Sequence, residues 1–237
     1  MLYWIIPLAI GATLLWFFLF FRVKEKRVIA TVFKGLVSLM FIVTAIVSWQ
    51  TSQNPHNMFG LFVVIGLIFG LLGDIFLDLK YVSTKKETLF TVLGFIAFGV
   101  GHIFFFSGLF TYFFDFSLSP LYIIVPSLIS IVLTVVSLLM EKFTPIRYKK
   151  MKPCVIVYGF LLFFVTSIYF SCAIQGGFHN VTVITMAFGF VLFALSDLIL
   201  NNTYFAPNCN TPVFIISNHI IYYIAQFVIA ISLFYLV

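Results

Sequence analysis

The chain has 237 residues, of which 63% are hydrophobic and only 8% are charged, with a mean hydropathy of +1.19. A water-soluble domain this apolar lacks the polar surface to cover its own core, so lipid must be the solvent for most of the molecule. The net charge of +6 would suit a nucleic-acid surface, but the basic residues cluster at the ends of apolar runs, which excludes a nucleic-acid partner.

Eight apolar runs follow one another, each near the ~20 residues that cross ~30 Å of hydrocarbon. The first, 2–21, begins apolar at Leu2 and is followed by its basic residues Arg22, Lys24, Lys26 and Arg27. A cleaved signal peptide has its charges first, so a retained helix is expected. Run 28–50 holds Lys34. Run 59–79 holds Gly66 and Gly70, a G-x-x-x-G that permits close helix packing, then Asp74 and Asp78. Lys80, Lys85 and Lys86 follow in the 80–87 connection. Run 88–110 holds His102 and the filler triplet Phe104-Phe105-Phe106, and the 111–118 connection carries Asp115 but no basic residue. Run 119–140 has no Asp, Glu, Lys, Arg or His, and the 141–152 connection after it holds Lys142, Arg147, Lys149, Lys150 and Lys152. Run 153–174 contains Tyr158, run 181–200 contains Asp197, and run 212–236 contains His219, Tyr222, Tyr223 and Gln226. These four share one helical face by spacing and are placed to line a polar cavity. The connections are short, so residues 1–237 form one integral membrane domain. Cys154, Cys172 and Cys209 are scattered, without C-x-x-C or His-Cys spacing, and imply neither a disulfide framework nor a metal.

Twelve of the 13 basic residues fall on alternate connections, while those near 51–58, 111–118 and 175–180 hold none. By the positive-inside rule the basic side is cytoplasmic and both termini are extracytoplasmic. The membrane is of the bacterial inner or endoplasmic-reticulum type. The basic residues then act as anchors near anionic headgroups.

A charge at mid-membrane costs roughly 2.5–3.5 kcal/mol on insertion scales, so ionisable groups inside spans face the bundle interior and serve a purpose. Counting residues from the predicted span ends at 1.5 Å each puts Lys34, Asp74, Asp197 and His219 roughly 8–10 Å deep. Four groups from four helices thus sit at one level, in the half nearer the basic connections. Segments 66–79 (GLIFGLLGDIFLDL) and 189–202 (GFVLFALSDLILNN) also match, and GHIFFF at 101–106 pairs with NHIIYY at 218–223. A shift of four helices preserves direction, so the expected fold is an all-α membrane protein of eight transmembrane helices in two parallel four-helix repeats. Asp74 and Asp197 would then face each other across a pseudo-two-fold axis.

These residues resemble the YhhN family of membrane proteins, which includes the lysoplasmalogenases. The carriers are Lys34, Gly73-Asp74-Ile75-Phe76-Leu77, and Gly94-x3-Phe98-x3-His102, followed by Tyr158, Phe193-x2-Ser196-Asp197-x2-Leu200 and Tyr223-x2-Gln226. Two positions depart from the pattern: Gly35 follows Lys34 where proline is usual, and Asn201-Asn202 replaces a small residue. The resemblance implies hydrolysis of the vinyl-ether bond of a lysoplasmalogen to a fatty aldehyde and a glycerophospho-base, without a cofactor. Asp74 and Asp197 would be the catalytic pair, one protonated and one ionised, with neither role assigned. Lys34, Asp78, His102, Tyr158, His219, Tyr222, Tyr223 and Gln226 would shape the lysophospholipid site. Asp78 would meet a cationic headgroup and Lys34 or Lys80 its phosphate, the lipid arriving sideways from the inner leaflet. Two other classes fit the same residues: a proton-coupled transporter with His102 and Gln226 as its outward path, and a metal-dependent hydrolase using His102 and His219. The estimated depths of the two histidines, ~10 Å apart, disfavour a shared metal.

Overall fold

The described residues, 2–55, 57–112 and 120–237 of a computed structural model, form eight long helices. They are α1 (Ile5–Val23), α2 (Arg27–Gln50), α3 (Met58–Val82), α4 (Glu87–Tyr112), α5 (Leu121–Phe143), α6 (Lys152–Gln175), α7 (Val181–Phe205) and α8 (Pro212–Ser232). All eight are long and apolar enough to span a membrane. Asp115, with most of the 111–118 connection, lies outside the described residues. Helix starts follow local chemistry. Asn57 caps α3 by accepting from the Phe59 N–H, and Asn180 caps α7 by accepting from the Val183 N–H. Pro153 and Pro212 occupy the first turns of α6 and α8, where a missing N–H costs no helical bond.

Neighbours in sequence pack as neighbours in space: α1 on α2, α2 on α3, α3 on α4, then α5 on α6, α6 on α7, α7 on α8. The halves join through α4 on α6 and α2 on α8, contacts that interchange when the halves are exchanged. That is the pattern of a two-fold relation between repeats. Close contacts fix its register. An added Cβ at Gly66 would sit 2.6 Å from the Phe105 ring, and one at Gly189 would sit 2.6 Å from Ile229. An added Cβ at Gly94 would face the Gly73 carbonyl, while Asn218 donates to the Ser196 carbonyl. Phe105 therefore corresponds to Ile229 and Gly94 to Asn218, so His102 corresponds to Gln226. Pairing GHIFFF with NHIIYY, as the sequence suggests, is out by two helical turns. The two histidines share only a local habit, each with its Nδ1 2.7 Å from the carbonyl four residues back.

Helix ends differ from the apolar runs. Arg22 belongs to α1 and Lys80 to α3, and both are buried. Helices α3 and α7 run on to Val82 and Phe205, so Asp74 and Asp197 each lie about 12 Å from the nearer helix end rather than about 8 Å.

Candidate active site

Asp74 and Asp197, from corresponding positions of α3 and α7, line one small cavity of about 410 Å³ with Lys34, Tyr158, His219 and Tyr222. Lys34 reaches it because α2 lies against both α3 and α8. The Lys34 Nζ is 3.3 Å from Asp74 Oδ1 and 3.7 Å from Asp78 Oδ1. Asp74 Oδ2 accepts from Ser38 at 2.7 Å and from Tyr222 at 2.8 Å. Ser38 lies one turn after Lys34 on α2, so one helix supplies both a charge and a hydroxyl to the same carboxylate.

Asp197 is surrounded differently. The Tyr158 hydroxyl donates to its Oδ2, and among the described residues it makes no ion pair. Lys34 to Asp74 and Tyr158 to Asp197 are the same contact in the two repeats, made by a cation in one and a neutral phenol in the other. The difference extends outward. Asp78 corresponds to Asn201; Asp78 is paired with Arg22 from α1, while Asn201 donates to the Tyr148 hydroxyl at 2.8 Å.

Other expected site residues divide into two groups. Tyr158, His219 and Tyr222 reach the cavity. Asp78 does not: it is 1% exposed, paired with Arg22, and accepts from Thr31 at 2.8 Å. A headgroup has no access to it. Tyr223 fastens α8 to α2, with its hydroxyl 3.1 Å from Ser38 Oγ and 3.3 Å from the Lys34 carbonyl. His102 is enclosed by the rings of Phe105, Tyr158, Phe190 and Phe193. Its Nε2 and the Gln226 Oε1 are buried without a hydrogen-bond partner among the described residues.

The cavity is not sealed. Asp197, Tyr158 and Tyr204 also line an apolar chamber of about 590 Å³ between α5, α6 and α7. An apolar chain in that chamber would reach Asp197 directly. Sequence reading missed five residues of this arrangement: Arg22, Thr31, Ser38, Tyr148 and Tyr204. Only Ser38 had a signal, its i+4 spacing from Lys34.

No curated protein and no solved structure matches the chain. The family model described as the YhhN family matches residues 29–233, which takes in every residue of the cavity. With that match over most of its length, the chain belongs to the YhhN family.

Proposed function

We propose that the protein hydrolyses the vinyl-ether bond of a lysoplasmalogen, releasing a fatty aldehyde and a glycerophospho-base. The observation that carries this reading is that two carboxyls share one small cavity within the bundle with unlike partners, a lysine for Asp74 and a phenol for Asp197. Membership of a family that includes lysoplasmalogenases supports it.

A vinyl ether breaks when an acid protonates its β-carbon, which needs one carboxyl with a proton and a neighbour without. Charge pairing favours one assignment of the roles. Arg22 and Lys34 balance Asp74 and Asp78. Asp197, half-buried within a membrane span, has no cation among the described residues, and a carboxylate there is costly without one, so in this reading Asp197 carries the proton. It gives that proton to the β-carbon as the double-bond pair forms the C–H bond. Positive charge then develops on the α-carbon and ether oxygen, and the Asp74 anion stabilises it. Water adds to the α-carbon and its proton returns to Asp197. The hemiacetal collapses as the bond to the glycerol oxygen breaks and the hydroxyl proton passes to that oxygen. One water is consumed and nothing is oxidised or reduced. Acid and anion flank an oxocarbenium ion, the logic of a glycosidase pair.

Aldehyde release from purified protein given a lysoplasmenyl-ethanolamine tests the reading. Wild type should release aldehyde, and Asp74→Asn and Asp197→Asn should each lower turnover by about 10²–10⁴-fold, the usual worth of a positioned acid or base. Retained turnover in Asp197→Asn would make that residue structural.

A second reading, a proton-coupled transporter, is favoured by the unpartnered His102 Nε2 and Gln226 Oε1 in the bundle interior. Proton flux in liposomes without aldehyde release would select it.

A further inference from the structure

The end of the bundle that carries the basic connections holds a wider space. It is an open vestibule of about 1590 Å³ between the α3–α4 turn, the α5–α6 connection and the end of α7, with Lys80, Glu87, Arg147, Lys149 and Lys150 on its wall. Its inner wall is Tyr148, Tyr204 and Phe205, which also line the apolar chamber. Tyr204 lines the reaction cavity as well, so the three spaces meet at this ring.

The α5–α6 connection is fixed in place. The Arg147 N–H donates to the Phe205 carbonyl at 2.8 Å, tying the connection to the end of α7. The Arg147 guanidinium donates to the carbonyls of Glu141, Thr144 and Ile146. The Tyr148 hydroxyl donates to the Ser137 carbonyl at 3.0 Å. Cations are thereby held over the mouth of the chamber rather than left on a loose loop.

Lys80 is the telling residue. It is 6% exposed, its Nζ lies over the Tyr204 ring, 2.9 Å from the centroid, and it makes no ion pair among the described residues. The faces of Tyr204 and Tyr81 hold this buried ammonium without an ion-paired carboxylate among the described residues, an arrangement that an incoming anion would stabilise. Lys24, Lys26, Lys85, Lys86 and Lys142 are exposed at the same end but do not line the vestibule, and they suffice as bilayer anchors.

We infer that this vestibule is the phosphodiester site of a single-chain phospholipid, with Lys80 as its buried contact, Glu87 facing the ammonium of the base, and the chain passing Tyr204 into the chamber. The identification of the lipid rests on the function proposed above; the anion site rests on the vestibule itself. Tyr204 lies seven residues beyond Asp197 on α7, about 10 Å along the axis, and it lines the vestibule, the chamber and the reaction cavity alike. A single chain is the occupant inferred for the chamber between α5, α6 and α7, and a two-chain bilayer lipid is the competitor that the test sets against it.

The test measures binding apart from turnover, by titration calorimetry in a neutral maltoside detergent. The probes are an uncleavable 1-O-alkyl lysophosphatidylethanolamine and a 1-O-alkylglycerol of the same chain length. Wild type should bind the phospholipid about tenfold or more tightly than the glycerol, the worth of one charge-assisted contact. Lys80→Met should remove that preference and leave the alkylglycerol affinity unchanged, which also shows that the variant is folded. Lys80→Arg should retain the preference, and Lys149→Gln with Lys150→Gln should reduce it by less than Lys80→Met. Preference unaltered in Lys80→Met, no preference in wild type, or equal competition by a diacyl phospholipid would each overturn the proposal. Aldehyde release measured beside it separates the two readings. Loss of preference without any wild-type turnover keeps the phosphate site and removes the hydrolase; turnover with preference intact in Lys80→Met does the reverse.

Discussion

Asp74 and Asp78 lie one turn apart on α3, yet only Asp74 faces the cavity. Asp78 is committed to Arg22, Lys34 and Thr31. Removing one partner of a buried pair strands the other, at about 3–5 kcal/mol, whereas replacing both is often near neutral. Asp78→Asn should therefore lower the thermal midpoint of the detergent-purified protein, and Arg22→Met in the same chain should recover most of the loss. No recovery would mean that Arg22 is not its essential partner. The cavity residues predict a chemical signature instead. If a carboxyl protonates carbon, turnover in heavy water places one deuterium at carbon 2 of the aldehyde. A reductase and nicotinamide cofactor should trap the aldehyde at once as alcohol, because free aldehyde exchanges at that position. Mass spectrometry of the alcohol reads the label, and its absence at carbon 2 would exclude carbon protonation. A solvent isotope effect on the rate should accompany the label where proton transfer limits turnover, since product release otherwise masks it.

Helix pairs decide how closely the carboxyl-bearing elements approach. The motif Gly66-x3-Gly70 reads as a packing face, but its members are unequal. An added methyl at Gly66 would sit 2.6 Å from the ring of Phe105, which is itself 3% exposed, whereas at Gly70 the nearest atoms are 3.8 Å away. Overpacking of a tight core costs about 1–3 kcal/mol. Gly66→Ala should lower the thermal midpoint clearly, and Gly70→Ala should stay within about 0.5 kcal/mol of wild type; equal effects would deny the asymmetry. The helices themselves were legible because the bilayer sets the length of an apolar run. Their ends were not, because hydrogen bonding continues through polar residues: α7 carries Asn201, Asn202 and Thr203 as helix. The same misjudgement hid Arg22, which looked like a loop anchor and is a buried ion-pair partner. The ionisable groups Lys34, Asp74 and Asp197 stood out by their cost in lipid. Ser38, Thr31 and Tyr204 did not, since hydroxyls are ordinary in spans and only the fold shows which carboxylate they meet. The register of α4 against α8 was misread because a short aromatic match outweighed the glycine contacts that set it.

At the scale of the molecule, two halves with corresponding helix contacts carry unlike electrostatics. One half surrounds its aspartates with Lys34 and Arg22, and the other surrounds the corresponding positions with Tyr158 and Tyr148. The second half thereby keeps an apolar chamber beside Asp197. Which membrane face this chamber approaches follows from the basic connections. Arg22 and Lys80 are buried and drop out as anchors. The rest of the basic set at that end, from Lys24 and Lys26 to Lys150 and Lys152, is exposed. The bias therefore survives the loss of two members, and the positive-inside rule, which counts such residues near span ends, still applies. The basic end is predicted to face the cytoplasm, with both termini outside, so that the lipid reaches the vestibule from the inner leaflet. With Cys154, Cys172 and Cys209 first replaced by serine or alanine, single cysteines at exposed Gln53 and Thr84 report opposite ends. A membrane-impermeant maleimide added to intact cells should label Gln53→Cys, and should label Thr84→Cys only after permeabilisation. Labelling of Thr84→Cys in intact cells, with Gln53→Cys protected, would invert the topology and place the phosphate vestibule on the outer leaflet.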